Sequence, residues 1–157
     1  MSVFYEGAHS IRFIDSSSNP AVEKHTWTDW YLIPSTRPVI SQPSANYKYV
    51  DIPGKDGSLD FSSYLVGRPT YTDRSGTLTF YVDNDHGNWA TRKANIASFL
   101  NGQKILKMIL TDDPNYYYLG RFYFKDWQTG DAFSTISIDY RVNPYKYQVS
   151  NNQAVMG

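Results

Sequence analysis

The sequence predicts a mainly β fold: an antiparallel β-sandwich, or a partly open barrel, carrying one flanking α-helix. Three observations carry this expectation. Segments rich in Val, Ile, Thr, Tyr, Phe and Trp recur with the period-two alternation of half-buried strands. Turn formers (Pro, Gly, Asn, Asp) separate those segments. Only one stretch, from Asn88 to Gly102, keeps apolar residues at helical spacing.

Taken in order, Val3 to Ile14 suits a strand or hairpin broken at Gly7, followed by the polar loop Asp15-Ser16-Ser17-Ser18-Asn19-Pro20. His25 to Ile33 is rich in strand formers and is stopped by Pro34. As a strand it places Trp30 and Leu32 on one face and Trp27, Tyr31 and Ile33 on the other. Pro34, Pro38 and Pro43 space out an extended connection, each removing a backbone donor. Tyr47 to Ile52 is a short alternating strand, closed by the turn Pro53-Gly54-Lys55-Asp56-Gly57. Gly76 to Val82 sets Leu78, Phe80 and Val82 against Thr77, Thr79 and Tyr81.

For the helix, Asn88 is the cap, with Asp85 competing, and Trp89, Lys93, Ile96, Phe99 and Leu100 follow at helical spacing. Gly102 stands where a left-handed C-terminal residue belongs. Lys104 to Leu110 and Tyr116 to Trp127 read as a hairpin around Asp112-Asp113-Pro114-Asn115. Ser134 to Val142 is the clearest amphipathic strand, with Ile136, Ile138, Tyr140 and Val142 inward and Ser137, Asp139 and Arg141 outward. Residues 1–147 thus read as one domain and 148–157 as a polar C-terminal tail, expected to be loose in isolation.

Composition narrows the function. At 157 residues the chain has the size of one domain, able to bury roughly 70% of its unfolded surface without a metal or disulfide. Basic and acidic residues balance at 15 each, without the basic surplus of a protein that grips nucleic acid. Neutrality also removes the self-repulsion that opposes packed association. With no cysteine there is no thiolate zinc site and no cysteine nucleophile. Apolar runs are too short to span a membrane, and Met1 to Gly7 does not resemble a secretory signal, so synthesis in a cytoplasm is expected.

No motif for catalysis, cofactor or metal emerges. His9, His25 and His86 are scattered, with no nucleophile adjacent in sequence, and read as surface or hydrogen-bonded structural residues. Asp83-Asn84-Asp85-His86-Gly87-Asn88 misses the calcium-loop spacing, because Gly is fifth rather than sixth and the closing Glu position is Ala94. Asp112-Asp113 are neighbours on a tight turn and point apart. Gly54-Lys55-Asp56-Gly57-Ser58 lacks the spacing of a phosphate loop.

Aromatic residues, 17% of the chain, carry more information. In Tyr116 to Trp127 one face holds Tyr116, Tyr118, Phe122 and Phe124, the other Tyr117, Leu119, Tyr123 and Trp127. A single core uses one face; the other must meet a helix, a second sheet, a ligand or another subunit. Since interfaces enrich Tyr and Trp, the candidate subunit or partner contacts are Trp27, Trp30, Tyr31, Tyr117, Tyr123 and Trp127.

Several segments in this order resemble one family. They are Trp27-Thr28-Asp29-Trp30-Tyr31-Leu32-Ile33-Pro34-Ser35-Thr36-Arg37-Pro38, Tyr49 through Asp60, Gly67-Arg68-Pro69-Thr70-Tyr71, the Arg74 to Asp83 strand, the Asn88 to Gly102 helix, Asp112 through Arg121, and Asn143-Pro144-Tyr145-Lys146-Tyr147. Together they resemble the distal tail (Dit-like) proteins of siphophages infecting Gram-positive bacteria, over roughly residues 25–147. The resemblance implies a structural virion protein, not an enzyme. Its fold would be tail-tube-like and its assembly a hexameric ring at the distal end of the tail. Its partners would be further copies of itself, the tail tube protein and the tail-tip or baseplate hub protein, with DNA passing through the channel. Ser137, Asp139 and Arg141 are then candidates for the lumen or for ring contacts. Many relatives continue past the Pro-Tyr-Lys-Tyr segment into a second, often carbohydrate-binding-like domain; residues 148–157 are then either the tail of a short form or, in a truncated chain, the link to an absent second domain, and the receptor-binding role of such a domain is not carried over. The alternatives are a monomeric carbohydrate-binding sandwich, with Trp27, Tyr31 or Tyr117 stacking on sugar rings, and a tube protein of a contractile injection device.

Overall fold

Residues 8–60, 70–82, 88–129 and 134–155 are described by the computed structural model. Alternation turns most of the apolar segments into strands: β1 (Ile11–Asp15), β2 (Val22–His25), β3 (Leu32–Pro34), β4 (Ala45–Asn46), β5 (Tyr49–Asp51), β6 (Ser58–Asp60), β7 (Thr70–Tyr71), β8 (Arg74–Val82), β9 (Leu106–Leu110), β10 (Tyr116–Thr129), β11 (Ser134–Val142), β12 (Lys146–Gln148) and β13 (Ala154–Val155). The one helix among the described residues is α1 (Trp89–Phe99). Val3 to Gly7, Gly67 to Pro69 and the Asp83 to Gly87 loop with His86 lie outside the described residues.

The main sheet runs β2-β1-β9-β10-β11-β8-β3, and every neighbouring pair is antiparallel. Its first and last strands are consecutive in the chain, separated only by Thr26 to Tyr31. A twisted sheet satisfies that short link by curling until its edges approach each other. Thr26, fully buried, holds one side of the gap: its N–H donates to Ile11 O at 2.9 Å and its Oγ1 accepts the Ile11 N–H at 3.0 Å. Leu32 N–H donates to Thr26 O at 2.8 Å on the other side. The fold is therefore mainly antiparallel β, curled but not closed, with one flanking helix, as the alternation predicts.

One predicted strand is corrected here. His25 to Ile33 does not run extended: Asp29 N–H bonds His25 O and Tyr31 N–H bonds Trp27 O, which are helical-turn contacts, and Tyr31 has φ +55°. Only Leu32–Pro34 joins the sheet. The predicted division by burial survives, with Trp30 and Leu32 in the core and Trp27, Tyr31 and Ile33 half-buried.

Inside the curl, Phe13, Leu32, Phe80, Met108, Phe122 and Ile138 make the centre of the core. β11 delivers its inward set as predicted, opposite β8 in unbroken register from Ser134↔Val82 to Val142↔Arg74. In β10 the register slips between Phe124 and Asp126, a bulge at Lys125. Because strand faces alternate, one extra residue exchanges them. Trp127 therefore pairs with the core residue Ile136 and packs against the core, instead of sharing a face with Tyr123 as the unbroken alternation implied.

The Asn88 side chain caps α1, accepting from Ala90 N at 2.9 Å and Thr91 N at 3.2 Å. Beyond the helix, Phe124 N–H donates to Leu100 O and Gly102 N–H, at φ +76°, donates to Phe122 O, so the exit of α1 is sewn onto β10. Ile96 and Leu100 are buried as the spacing predicts, but Trp89 is exposed and Arg92 is buried beside Trp30. The C-terminal tail also departs from the loose expectation. β12 pairs with Tyr116 and Tyr117 of β10 and with β13, folding the tail back as a hairpin.

Candidate interaction surface

Among the described residues, the largest concentration of exposed apolar side chains lies on an excursion between β3 and β8. Its base is pinned at Ser41, whose N–H donates to the Tyr140 hydroxyl at 2.9 Å and whose Oγ donates to Ser75 O at 2.9 Å. Beyond the base, β4 pairs with β7, and β5 pairs with β6 around the turn at Gly54 and Gly57, both at positive φ. Among the described residues, the backbones of β5 and β6 lie close to each other and to no other strand or helix. Tyr47, Tyr49, Val50 and Ile52 stand in solvent here, Tyr49 at 59% exposure, with Val39 and Tyr71 exposed on the same excursion. A two-stranded hairpin is marginal on its own, and contiguous exposed apolar surface marks sites of association.

The aromatic candidates divide. Trp30, 2% exposed, is spent in the core, tilted against Phe13 and edge-on to Phe99. Tyr117, also buried, lies under the C-terminal hairpin: it stacks on Tyr147 at 5.4 Å, carries Lys107 over its ring, and donates its hydroxyl to Asn152 at 2.8 Å. These two leave no area for a partner. Trp27 and Tyr31 pack edge to face at 5.5 Å and stay half-buried, while Trp127 lies 6.1 Å from exposed Trp89. Tyr123 is 54% exposed.

Tyr123 belongs to the outer face of the central strands, which also carries Ser137, Asp139 and Arg141. The Thr77 hydroxyl donates to Asp139 at 2.7 Å, and Arg141 Nε donates to Asp73 at 3.0 Å. Arg121 stands directly opposite Arg141 in the ladder and donates to Gly102 O at 3.0 Å. Like charges so placed repel, and the carboxylate of Asp73 offsets one of them. A shallow depression of about 360 Å³ between Ile105, Leu119 and the two arginines lies beside them.

Two histidines make specific contacts. His9 Nδ1 meets Asp112 at 2.6 Å, whereas Asp113 pairs with Lys146 at 2.8 Å, so the adjacent carboxylates point apart as predicted. His25 Nε2 lies 3.1 Å from Ser10 Oγ, a contact between distant positions that sequence reading missed. The pair is not a nucleophile and its base. His25 Nδ1 accepts from the N–H groups of Trp27 and Thr28, each at 3.2 Å. The neutral ring's one proton therefore sits on Nε2, which donates to Ser10 rather than taking its proton.

The arm at Tyr47 to Ile52 was legible as an alternating strand. Only Tyr49–Asp51 of it pairs as a strand, and that Tyr47, Tyr49, Val50 and Ile52 are exposed among the described residues follows only from the three-dimensional placement.

Residues 29–150 match the family model described as the phage tail protein RIFT-related domain. Among solved structures, the chain is similar to the Dit protein of phage SPP1, described as a paradigm of hub adsorption apparatus in Gram-positive infecting phages. The TM-score is 0.61 at 17% identity, covering 88% of this chain and 52% of that one, so this chain spans about half its length. A baseplate chain of the anti-feeding prophage aligns at TM-score 0.38 and 12% identity, over 89% of this chain and 93% of that one. No curated protein matches the sequence.

Proposed function

We propose, because the chain belongs to the family of phage tail proteins with a RIFT-related domain, that it is a ring-forming structural subunit at the distal end of a siphophage tail. Six copies would join the tail tube to the tip or baseplate and leave a channel for DNA. The observation that carries this reading is the arm from Tyr47 to Ile52, whose Tyr47, Tyr49, Val50 and Ile52 side chains are exposed among the described residues. A neighbouring copy covers them in a ring, and the neutral overall charge permits the copies to pack.

The outer face with Ser137, Asp139 and Arg141 suits a lumen. DNA must slide past such a surface, and phosphates are held by unpaired cations. Here Arg141 is engaged by Asp73, and Asp139 by Thr77. The fold shared with the SPP1 Dit protein supports the distal position. Two-dimensional class averages of the purified protein, alone and with tail tube protein, test the proposal. Annular particles with six-fold symmetry are expected; particles without a central hole in both samples would overturn it.

A further inference from the structure

We propose that His25 is an acid-released clasp: its neutral imidazole holds the Thr26 to Tyr31 turn that links the two edges of the sheet, and protonation opens that turn. The ring acts as an N-terminal cap. Its Nδ1 accepts from Trp27 N and Thr28 N at 3.2 Å each, with the Thr28 hydroxyl at 3.3 Å, while Asp29 N–H returns to His25 O at 3.0 Å. Nε2 is anchored on Ser10 Oγ at 3.1 Å, so the ring cannot turn away without losing a second contact.

A proton on Nδ1 converts the acceptor into a donor and sets a positive charge against two N–H dipoles. The turn is also poised to move, because Tyr31 closes it at φ +55°, a conformation that non-glycine residues hold only under constraint. Its release frees Trp30, the residue that the turn presses into the core against Phe13 and Phe99.

The charged groups around the ring are Asp29 in the turn, Glu23 on β2 and Arg12 on β1. Burial is the largest influence and disfavours the imidazolium, as does Arg12; Asp29 and Glu23 favour it, and the net effect lowers the pKa from its ordinary 6.5. Asp29 is already committed, accepting the backbone N–H of His25 at 2.7 Å. A histidine kept neutral by the fold binds its proton more readily when unfolded. Its stabilisation is therefore complete above about pH 6.5 and is lost as pH falls below that value.

Amide exchange, corrected for its intrinsic pH dependence, and thermal melts of the full chain between pH 7 and pH 5 test the clasp. Protection at Trp27 and Thr28 is expected to vanish on acidification in step with the His25 ring titration, while Ile136 and Ile138 stay protected. His25→Asn keeps a side-chain acceptor near the Nδ1 position without a titrating ring. Its Tm is expected to fall less than the parent's over this range, by about 3 °C or more. Equal falls would overturn the proposal. So would a ring at pH 7 carrying its proton on Nδ1 by ¹⁵N NMR, or protection at Trp27 that does not follow the ring. These last two readouts use the parent protein alone and decide the matter if the variant does not fold.

Discussion

The ring of Tyr140 fills the space that a side chain on Gly76 would take: a Cβ there would come within 2.6 Å of the Tyr140 hydroxyl. The two residues are direct partners in the β8–β11 ladder, and the tyrosine crosses β8 to reach Ser41 at the base of the exposed arm. Gly76→Ala must push the ring off this path, at a cost of about 1–3 kcal/mol. Tyr140→Phe keeps the packing but strands the Ser41 N–H, costing about 1 kcal/mol. Denaturant melts of both variants check the ordering, with the glycine substitution the more damaging.

Gly120 meets a harder limit. A Cβ on it would lie 2.2 Å from Arg141 O and 2.5 Å from Val142 Cα, which are backbone atoms of the paired strand and cannot rotate away. Gly120→Ala is expected to open the β10–β11 ladder and to lose about 3–5 kcal/mol, the upper end for single substitutions. Circular dichroism and melting of the variant check this.

Asp15 gives the fold an acid limit below that of His25. The Ser17 hydroxyl is the main influence lowering its carboxyl, opposed by burial and joined by Lys104 at 3.1 Å and the Ser17 N–H, so that it titrates near 2 rather than 3.8. A depressed carboxyl stabilises the fold above its unfolded value and loses that contribution as pH falls from about 3.8 towards 2. Over that window the parent should lose more stability than Asp15→Asn, as measured by melts at stepped pH.

On the outer face, Asp73→Asn removes the carboxylate engaged by Arg141 and leaves it beside Arg121. A salt-sensitive affinity for double-stranded DNA should appear in the variant and be weaker in the parent. Gel-shift titrations at two salt concentrations measure it.

How much of this was legible in the sequence depended on whether local pattern or tertiary contact decided the outcome. β11 could be read residue by residue, because one face is buried along its whole length. Its partner could be read only as far as Phe124, since the bulge at Lys125 carries no glycine or proline to mark it. The Thr26 to Tyr31 turn is composed like a strand, yet the His25 ring accepts from its Trp27 and Thr28 N–H groups and the Asp29 carboxylate reaches back to the His25 N–H, which together bend it. On α1, Arg92 went unread as a buried residue because its place beside Trp30 depends on the turn lying there. Among the interface candidates, Trp30 and Tyr117 were spent inside the chain, on the core and on a C-terminal hairpin that polar composition did not foretell. Among the described residues Tyr47, Tyr49, Val50 and Ile52 stay exposed because the proline-spaced connection carries them away from the sheet.

The claim that copies of this chain cover one another through the arm is tested most directly by sedimentation velocity, comparing the parent with Tyr49→Ser/Ile52→Ser. Both positions are solvent-exposed, so the double substitution should leave Tm nearly unchanged. The parent, alone or mixed with tail tube protein, is expected to sediment as an assembly near six times 18.0 kDa, and the variant as an 18.0 kDa monomer. A parent that stays monomeric in both samples, or a variant that assembles as well as the parent, would contradict the account.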